Sequence, residues 1–175
     1  MLTVDQYKEV YAILGSSTPV SYDCGDLCNS ICCSNEPFGN DDSYLYLFPG
    51  EAEYLRSIGC NFPVIRQKRE GHYLPKSWGE YIYIAQCPGK SRCDRKMRPI
   101  QCRTFPLQPY FSDSGNLEMA LCYTYVPYTC PFIEGTVSVS EDFIHAVYTA
   151  WNILIEDRAV RDLVKLDSKE RRSHK

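Results

Sequence analysis

The chain has 175 residues, 44% of them hydrophobic and 23% charged, with a formal net charge of −3. These values exclude a disordered chain, which could not bury enough apolar surface to fold, and argue against a strongly basic nucleic-acid binder. No apolar run approaches the roughly 18 residues of a membrane span, so the departure from ordinary composition is the ten cysteines.

Residues 3–14 read as a helix. Thr3 and Gln6 fit a capping box, Val4, Tyr7, Val10, Tyr11 and Leu14 recur on one face, and Gly15 to Pro19 end it. Residues 21–43 have loop composition, with room for a turn or two of helix. Glu51 to Ile58 form a short helix with acids in its first turn, where they suit the dipole, and Gly59 stops it. The polar, basic stretch 64–76 (Arg66, Lys68, Arg69) reads as a loop or exposed hairpin, solvated rather than a nucleic-acid patch. Tyr81 to Ala85 are strand formers, and the prolines of 87–111 exclude long regular elements there. Leu117 to Tyr123 alternate like a strand. Ser140 caps a long helix with Phe143, Val147, Trp151, Leu154 and Ile155 on one face, continuing weakly through Val164. The fold class expected is α+β: a small single domain over 1–166, its terminal helices packed on a cysteine-rich core of loops and short strands. Residues 167–175 read as a charged, frayed tail.

The ten cysteines are Cys24, Cys28, Cys32, Cys33, Cys60, Cys87, Cys93, Cys102, Cys122 and Cys130. The N-terminus lacks the basic and apolar regions of a signal peptide, so a reducing, cytoplasmic setting is expected, where clustered thiols bind metal more often than they pair. Disulfides and buried free thiols remain the alternatives. The first cluster is Cys24-x3-Cys28-x3-Cys32-Cys33. On one continuous helix, Cys24 and Cys32 would lie about 12 Å apart along the axis, too far for one zinc with thiolates about 2.3 Å away. Either the segment is broken or its cysteines serve more than one centre. The second cluster is Cys87-x5-Cys93-x8-Cys102, followed by Cys122. The chain has no Cys-x2-Cys, which argues against zinc ribbons and thioredoxin-type sites. The spacing also misses ferredoxin runs. Soft thiolates select zinc, cuprous copper or iron–sulfur clusters, and eight of them make two four-thiolate sites or one site with spare thiols.

These motifs resemble a known family. Cys24-x3-Cys28-x3-Cys32-Cys33, Cys87-Pro88-Gly89-Lys90-Ser91-Arg92-Cys93, and Arg98-Pro99-Ile100-Gln101-Cys102-Arg103-Thr104-Phe105-Pro106 are similar to the cysteine cluster of the YkgJ-type zinc- or iron-chelating proteins. Leu47-x3-Glu51 resembles the family's stretch before its first helix. The resemblance implies a metal-binding protein holding an iron–sulfur cluster or zinc through Cys24, Cys28, Cys32, Cys33, Cys87, Cys93, Cys102 and Cys122. The net charge and the lack of a long apolar run lead to an expectation of no nucleic-acid or membrane partner, and a protein partner stays open. Similar cysteine patterns in flagellin lysine methylases give the alternative, an enzyme component or electron-transfer module. Arg98 and Arg103 are candidates to donate hydrogen bonds to cluster sulfurs, to hold an anion or to pair with acids, and Pro99 and Pro106 to shape the turns around Cys102. His72 is a minor candidate ligand, while His145 and His174 read as incidental. Tyr81, Tyr83, Tyr123, Tyr125 and Tyr128 form a tyrosine-rich belt read chiefly as packing. Cys60 and Cys130 take no position in the pattern and stay open between buried free thiols and additional ligands. No hydrolytic constellation is present.

Overall fold

The structure is a computed structural model that describes residues 1–15, 17–34 and 44–173. Part of the expected loop 21–43, and His174, lie outside the described residues. Helix α1 spans Val4–Leu14, and the capping box is formed: Thr3 Oγ1 accepts from the Gln6 N–H at 3.2 Å, and the Gln6 side chain accepts from the Thr3 N–H at 3.0 Å. Tyr7, Val10, Tyr11 and Leu14 are buried on one face as the spacing requires, whereas Val4 is exposed.

Strand β1 (Tyr44–Leu47), helix α2 (Glu51–Ser57), β2 (Val64–Lys68) and β3 (Tyr81–Gln86) follow. β3 is the centre of an antiparallel sheet of order β1-β3-β2, with Leu47 opposite Tyr83 and Ile65 opposite Ile84. Its position between two neighbours explains why Ile82, Ile84 and Ala85 are buried. The stretch 64–76 thus takes the hairpin form of its two expected forms, its first five residues being β2. A short α3 (Ile100–Thr104) leads into the hairpin β4 (Leu107–Phe111) and β5 (Leu117–Leu121), paired Leu107 to Leu121.

Two helices close the chain, α4 (Glu141–Leu154) and α5 (Arg158–Ser173). Ser140 Oγ accepts from the Phe143 N–H at 3.4 Å, and Phe143, Val147, Ala150, Trp151 and Leu154 are buried. The single long helix expected from Ser140 is broken at 155–157. There Asp157 Oδ1 accepts from the Ala159 and Val160 N–H groups at 2.7 and 3.2 Å and starts a new helix, because an aspartate satisfies first-turn donors best as a cap. The charged stretch from Asp167 is not frayed but helical through Ser173. Its polar side chains dock on the β4–β5 hairpin: the Ser168 hydroxyl accepts from the Phe111 N–H at 2.8 Å, and Arg171 donates to the Leu121 carbonyl at 2.9 Å while lying over the Tyr123 ring.

The fold is therefore α+β, as expected. α1 packs on α4, and α5 on β4. One apolar cluster joins α1, α2, the three-stranded sheet, the hairpin, α4 and α5. Trp78 sits in it and donates its indole N–H to the Ala159 carbonyl at 3.0 Å. None of the ten cysteines is a buried member of this cluster, although Cys60 packs against it. The cysteine-bearing segments form an adjoining region rather than the core itself.

Candidate metal centre

The segment 24–33 is not one helix. A 3-10 turn at Cys24–Leu27 and another at Ile31–Cys33 are separated by Asn29 and Ser30, both left-handed with φ of 53° and 56°. Two consecutive left-handed residues reverse the chain at a steric cost, and the reversal is hydrogen-bonded: Ser30 N–H donates to the Gly25 carbonyl at 2.8 Å. Gly25 lets the two turns pack closely: a β-carbon there would sit 2.1 Å from Ser30 Oγ, so the serine side chain would have to turn away. Asp23 caps the first turn by accepting from the Gly25 N–H at 2.9 Å. This break removes the 12 Å separation that a continuous helix would impose.

As a result Cys24, Cys28 and Cys32 line one small cavity of about 30 Å³. The other walls are apolar (Ile31, Phe105, Pro106, Phe132) and include Tyr128, but the fourth thiol in it is Cys130. Cys130 is 6% exposed. Among these thiols Cys24 has its pKa raised, first by burial and then by the Asp23 charge.

The second cluster gathers around Cys33. Cys87 follows β3, Cys93 ends a 3-10 turn at Lys90–Arg92, and Cys102 lies in α3. The Cys102 residue is exposed to solvent, while protein atoms crowd its thiol. Burial pushes its thiol pKa up, and the neighbouring Cys33, Cys87 and Cys93 push it further. Cys93 is likewise raised by burial, while a hydrogen bond from Arg98 pulls it down. Cys33 is lowered, first by the hydrogen bond from the Cys32 thiol and then by the Arg98 and Lys90 cations. Cys32 and Cys33 have their sulfurs 4.0 Å apart, so the two clusters meet there.

Arg98 is the shared cation, acting on Cys24, Cys33, Cys93 and Cys102. Its Nε is buried with no hydrogen-bond partner among the described residues, which is costly for a charged donor and fits a group whose anionic ligands complete the site. Arg103 has a different role. Its guanidinium donates to the carbonyls of Arg98, Arg95 and Gly15 at 2.9, 2.9 and 3.3 Å and lies over the Tyr11 ring. It braces the loop that carries Arg98. Pro99 accepts from the Cys102 N–H at 2.9 Å, and Pro106 from the Cys122 N–H at 2.8 Å. Glu51 holds the start of α3: fully buried, its carboxylate accepts from the N–H groups of Ile100 and Phe48 and from the Tyr11 hydroxyl at 2.8, 2.9 and 2.8 Å. An ion pair at 3.4 Å between Arg95 and Asp23 ties the two cysteine segments together.

Seven of the eight expected ligands, Cys24, Cys28, Cys32, Cys33, Cys87, Cys93 and Cys102, are thus brought together. Cys122 is buried, and its sulfur hydrogen-bonds the Thr124 hydroxyl at 3.1 Å. Its charge still reaches Tyr128, as do those of Cys32, Cys130 and Cys102. The sequence reading left out Cys130, and only its isolated buried position among aromatics and prolines could have flagged it. His72 bonds Tyr46 Oη through Nδ1 and Gln67 through Nε2, both at 2.9 Å, so both ring nitrogens are engaged away from the thiols. His145 is exposed on α4. In the tyrosine belt, Tyr128 lies by the thiols, while Tyr123 packs against Arg171 and Tyr125 is exposed.

The thiols are gathered but not closed: among the described residues, no three Cys, His, Asp or Glu side chains already stand as a ligand set for a metal ion. Among the described residues, no helix is long and apolar enough to cross a membrane. No family model, curated protein or solved structure matches the chain.

Proposed function

We propose that the protein binds zinc or an iron–sulfur cluster through its clustered cysteine thiolates. The observation that carries this reading is the convergence of Cys24, Cys28 and Cys32 on one cavity, with Cys33, Cys87, Cys93 and Cys102 beside it around Arg98. An all-sulfur donor set selects soft or borderline cations over magnesium or calcium. Arg98 fits this chemistry, because a guanidinium beside thiolates offsets the anionic charge of a fully thiolate-ligated centre and offers a free N–H to a sulfur. Bound metal would supply cross-links between segments that otherwise share short turns and one surface ion pair. The motif resemblance to the YkgJ-type chelating proteins supports the same reading.

Anaerobic purification followed by iron, sulfide and zinc analysis tests it. Stoichiometric metal is expected. Absorbance near 400 nm with iron and sulfide identifies a cluster, and colourless protein with zinc identifies chelation of the ion. Cys102→Ser should lower metal content and melting temperature together. Metal-free protein under these conditions sinks the reading.

A further inference from the structure

We propose that the cysteines divide into two abutting four-thiolate sites, Cys24/Cys28/Cys32/Cys130 and Cys33/Cys87/Cys93/Cys102, each taking a soft cation. The inference rests on the metal-binding reading above and goes beyond it by assigning Cys130 and by releasing Cys122.

The first set is defined by a shared cavity. Its thiols come from two turns of one segment and from a loop about 100 residues later, and they line about 30 Å³, enough for one small group, which needs about 10–15 Å³. An apolar cavity of that size with four soft donors on its walls is suited to one ion and poorly suited to water, which needs two to four stronger polar partners. Cys130 is the fourth thiol of that lining. Phe105 and Tyr128, with ring centroids 6.4 Å apart, shield it.

The second set is defined by mutual proximity: Cys33, Cys87 and Cys93 are the thiols that act on Cys102. A β-carbon at Gly89 would lie 4.0 Å from the Cys33 carbonyl oxygen, so the Cys87–Cys93 loop runs against Cys33. Gly89, between Cys87 and Cys93, has φ 78°, a conformation glycine adopts without cost. Cys102 joins them from α3, which Glu51 holds in place.

The sulfurs of Cys32 and Cys33, 4.0 Å apart, are the seam. Cys32 lines the cavity and Cys33 does not, whereas Cys33 and not Cys32 acts on Cys102, so one goes to each set. Arg98 lies on the second set and reaches Cys24 of the first, a single cation between two anionic centres. The two remaining cysteines are occupied elsewhere: Cys60 packs on the apolar core, and Cys122 bonds Thr124.

The test uses the full chain with cobalt(II), whose thiolate charge-transfer band reports sulfur ligation directly. It is run beside zinc titration of the reduced apoprotein and iron and sulfide analysis of the anaerobic protein. The band should saturate at two equivalents in the unaltered chain, and in Cys60→Ser and Cys122→Ser. Cys130→Ser should saturate at one, as should Cys24→Ser, which guards against a misfolded single variant; circular dichroism of each confirms folding. Saturation of the unaltered chain at one equivalent overturns the two-site division while leaving metal binding intact. Two equivalents retained by Cys130→Ser, or one lost by Cys122→Ser, overturns the assignment of Cys130. No band and no bound metal in any variant overturns the metal-binding reading with it.

Discussion

Around Phe143 and Val147, side chains from the helices, the central sheet and the hairpin meet in one apolar cluster. Around Cys33, by contrast, the neighbours are turns of three or four residues, a five-residue helix and sulfur atoms. The first region is held by burial, which is worth about 25 cal/mol per Å² of apolar surface and needs no ligand. The second buries little and depends on a few local bonds: two left-handed residues, an aspartate cap, the Glu51 brace and one ion pair. A protein can therefore keep its fold on one side while the other responds to metal. In such a molecule the metal-binding segments belong to the low-stability end of the structure, where local opening occurs without global unfolding.

The largest effect expected on the apolar side is that of Phe143→Ala. Phe143 is 1% exposed, and truncating a buried phenylalanine costs about 3–5 kcal/mol from lost transfer energy and the cavity left behind. At roughly 2–4 °C per kcal/mol for a chain of this size, the melting temperature should fall by about 10 °C. The same drop is expected before and after metal is stripped with a chelator. A drop seen only in the metal-loaded protein would show that the apolar cluster is not stable by itself and would break the comparison.

Glu51 sits on the boundary, so Glu51→Gln probes how the regions are coupled. Burial pushes the Glu51 pKa up while its three hydrogen-bond donors pull it down. An amide offers one acceptor oxygen and turns an NH2 group toward the remaining donors, so at least one of the Phe48, Ile100 and Tyr11 donors loses its partner. An unsatisfied buried donor costs about 1–3 kcal/mol. Amide exchange should quicken at Ile100 and in the residues that follow it in α3, measured by hydrogen exchange. Unchanged exchange in α3 would mean that Cys102 is positioned by its own turn and not by the core.

What could be read from the sequence follows the same divide. The α1 capping box and the α4 stripe depend on spacings of three and four residues, and both are present. Strand β1, Tyr44-Leu45-Tyr46-Leu47, was not visible, because its pairing is with β3 some 40 residues away. The break at Asp157 was hidden by an apolar pattern that runs on past it, although the cap residue itself stood in the sequence. At the thiol side, the spacing already required Cys24-x3-Cys28-x3-Cys32 to be broken or shared, and the left-handed Asn29 and Ser30 supply the break. Cys130 could not be placed with them. Its partners lie about 100 residues earlier, and only the path of the chain after β5 returns it to Cys24, Cys28 and Cys32.

The smallest effect expected is electrostatic and lies on α5. Burial and the nearby Glu170 charge raise the Asp167 pKa from 3.8 to about 6. A carboxyl whose folded pKa is raised favours the folded state when protonated. Its contribution is full below pH about 4 and is lost as pH rises through about 6. The unaltered protein should accordingly gain stability from this group as pH falls from 7 to 5. Asp167→Asn removes the charge at every pH, so the variant should melt higher than the unaltered protein at pH 7 and equal to it near pH 4. Because Asp167 is not fully buried, the gain is on the order of 1 kcal/mol. Docking of α5 on the hairpin through Ser168 and Arg171 bonds none of the eight thiols of the proposed sites, so the gain should be the same with metal bound or stripped. A gain that vanished on chelation would mean that the end of α5 senses the metal site, and that the two regions are one cooperative unit.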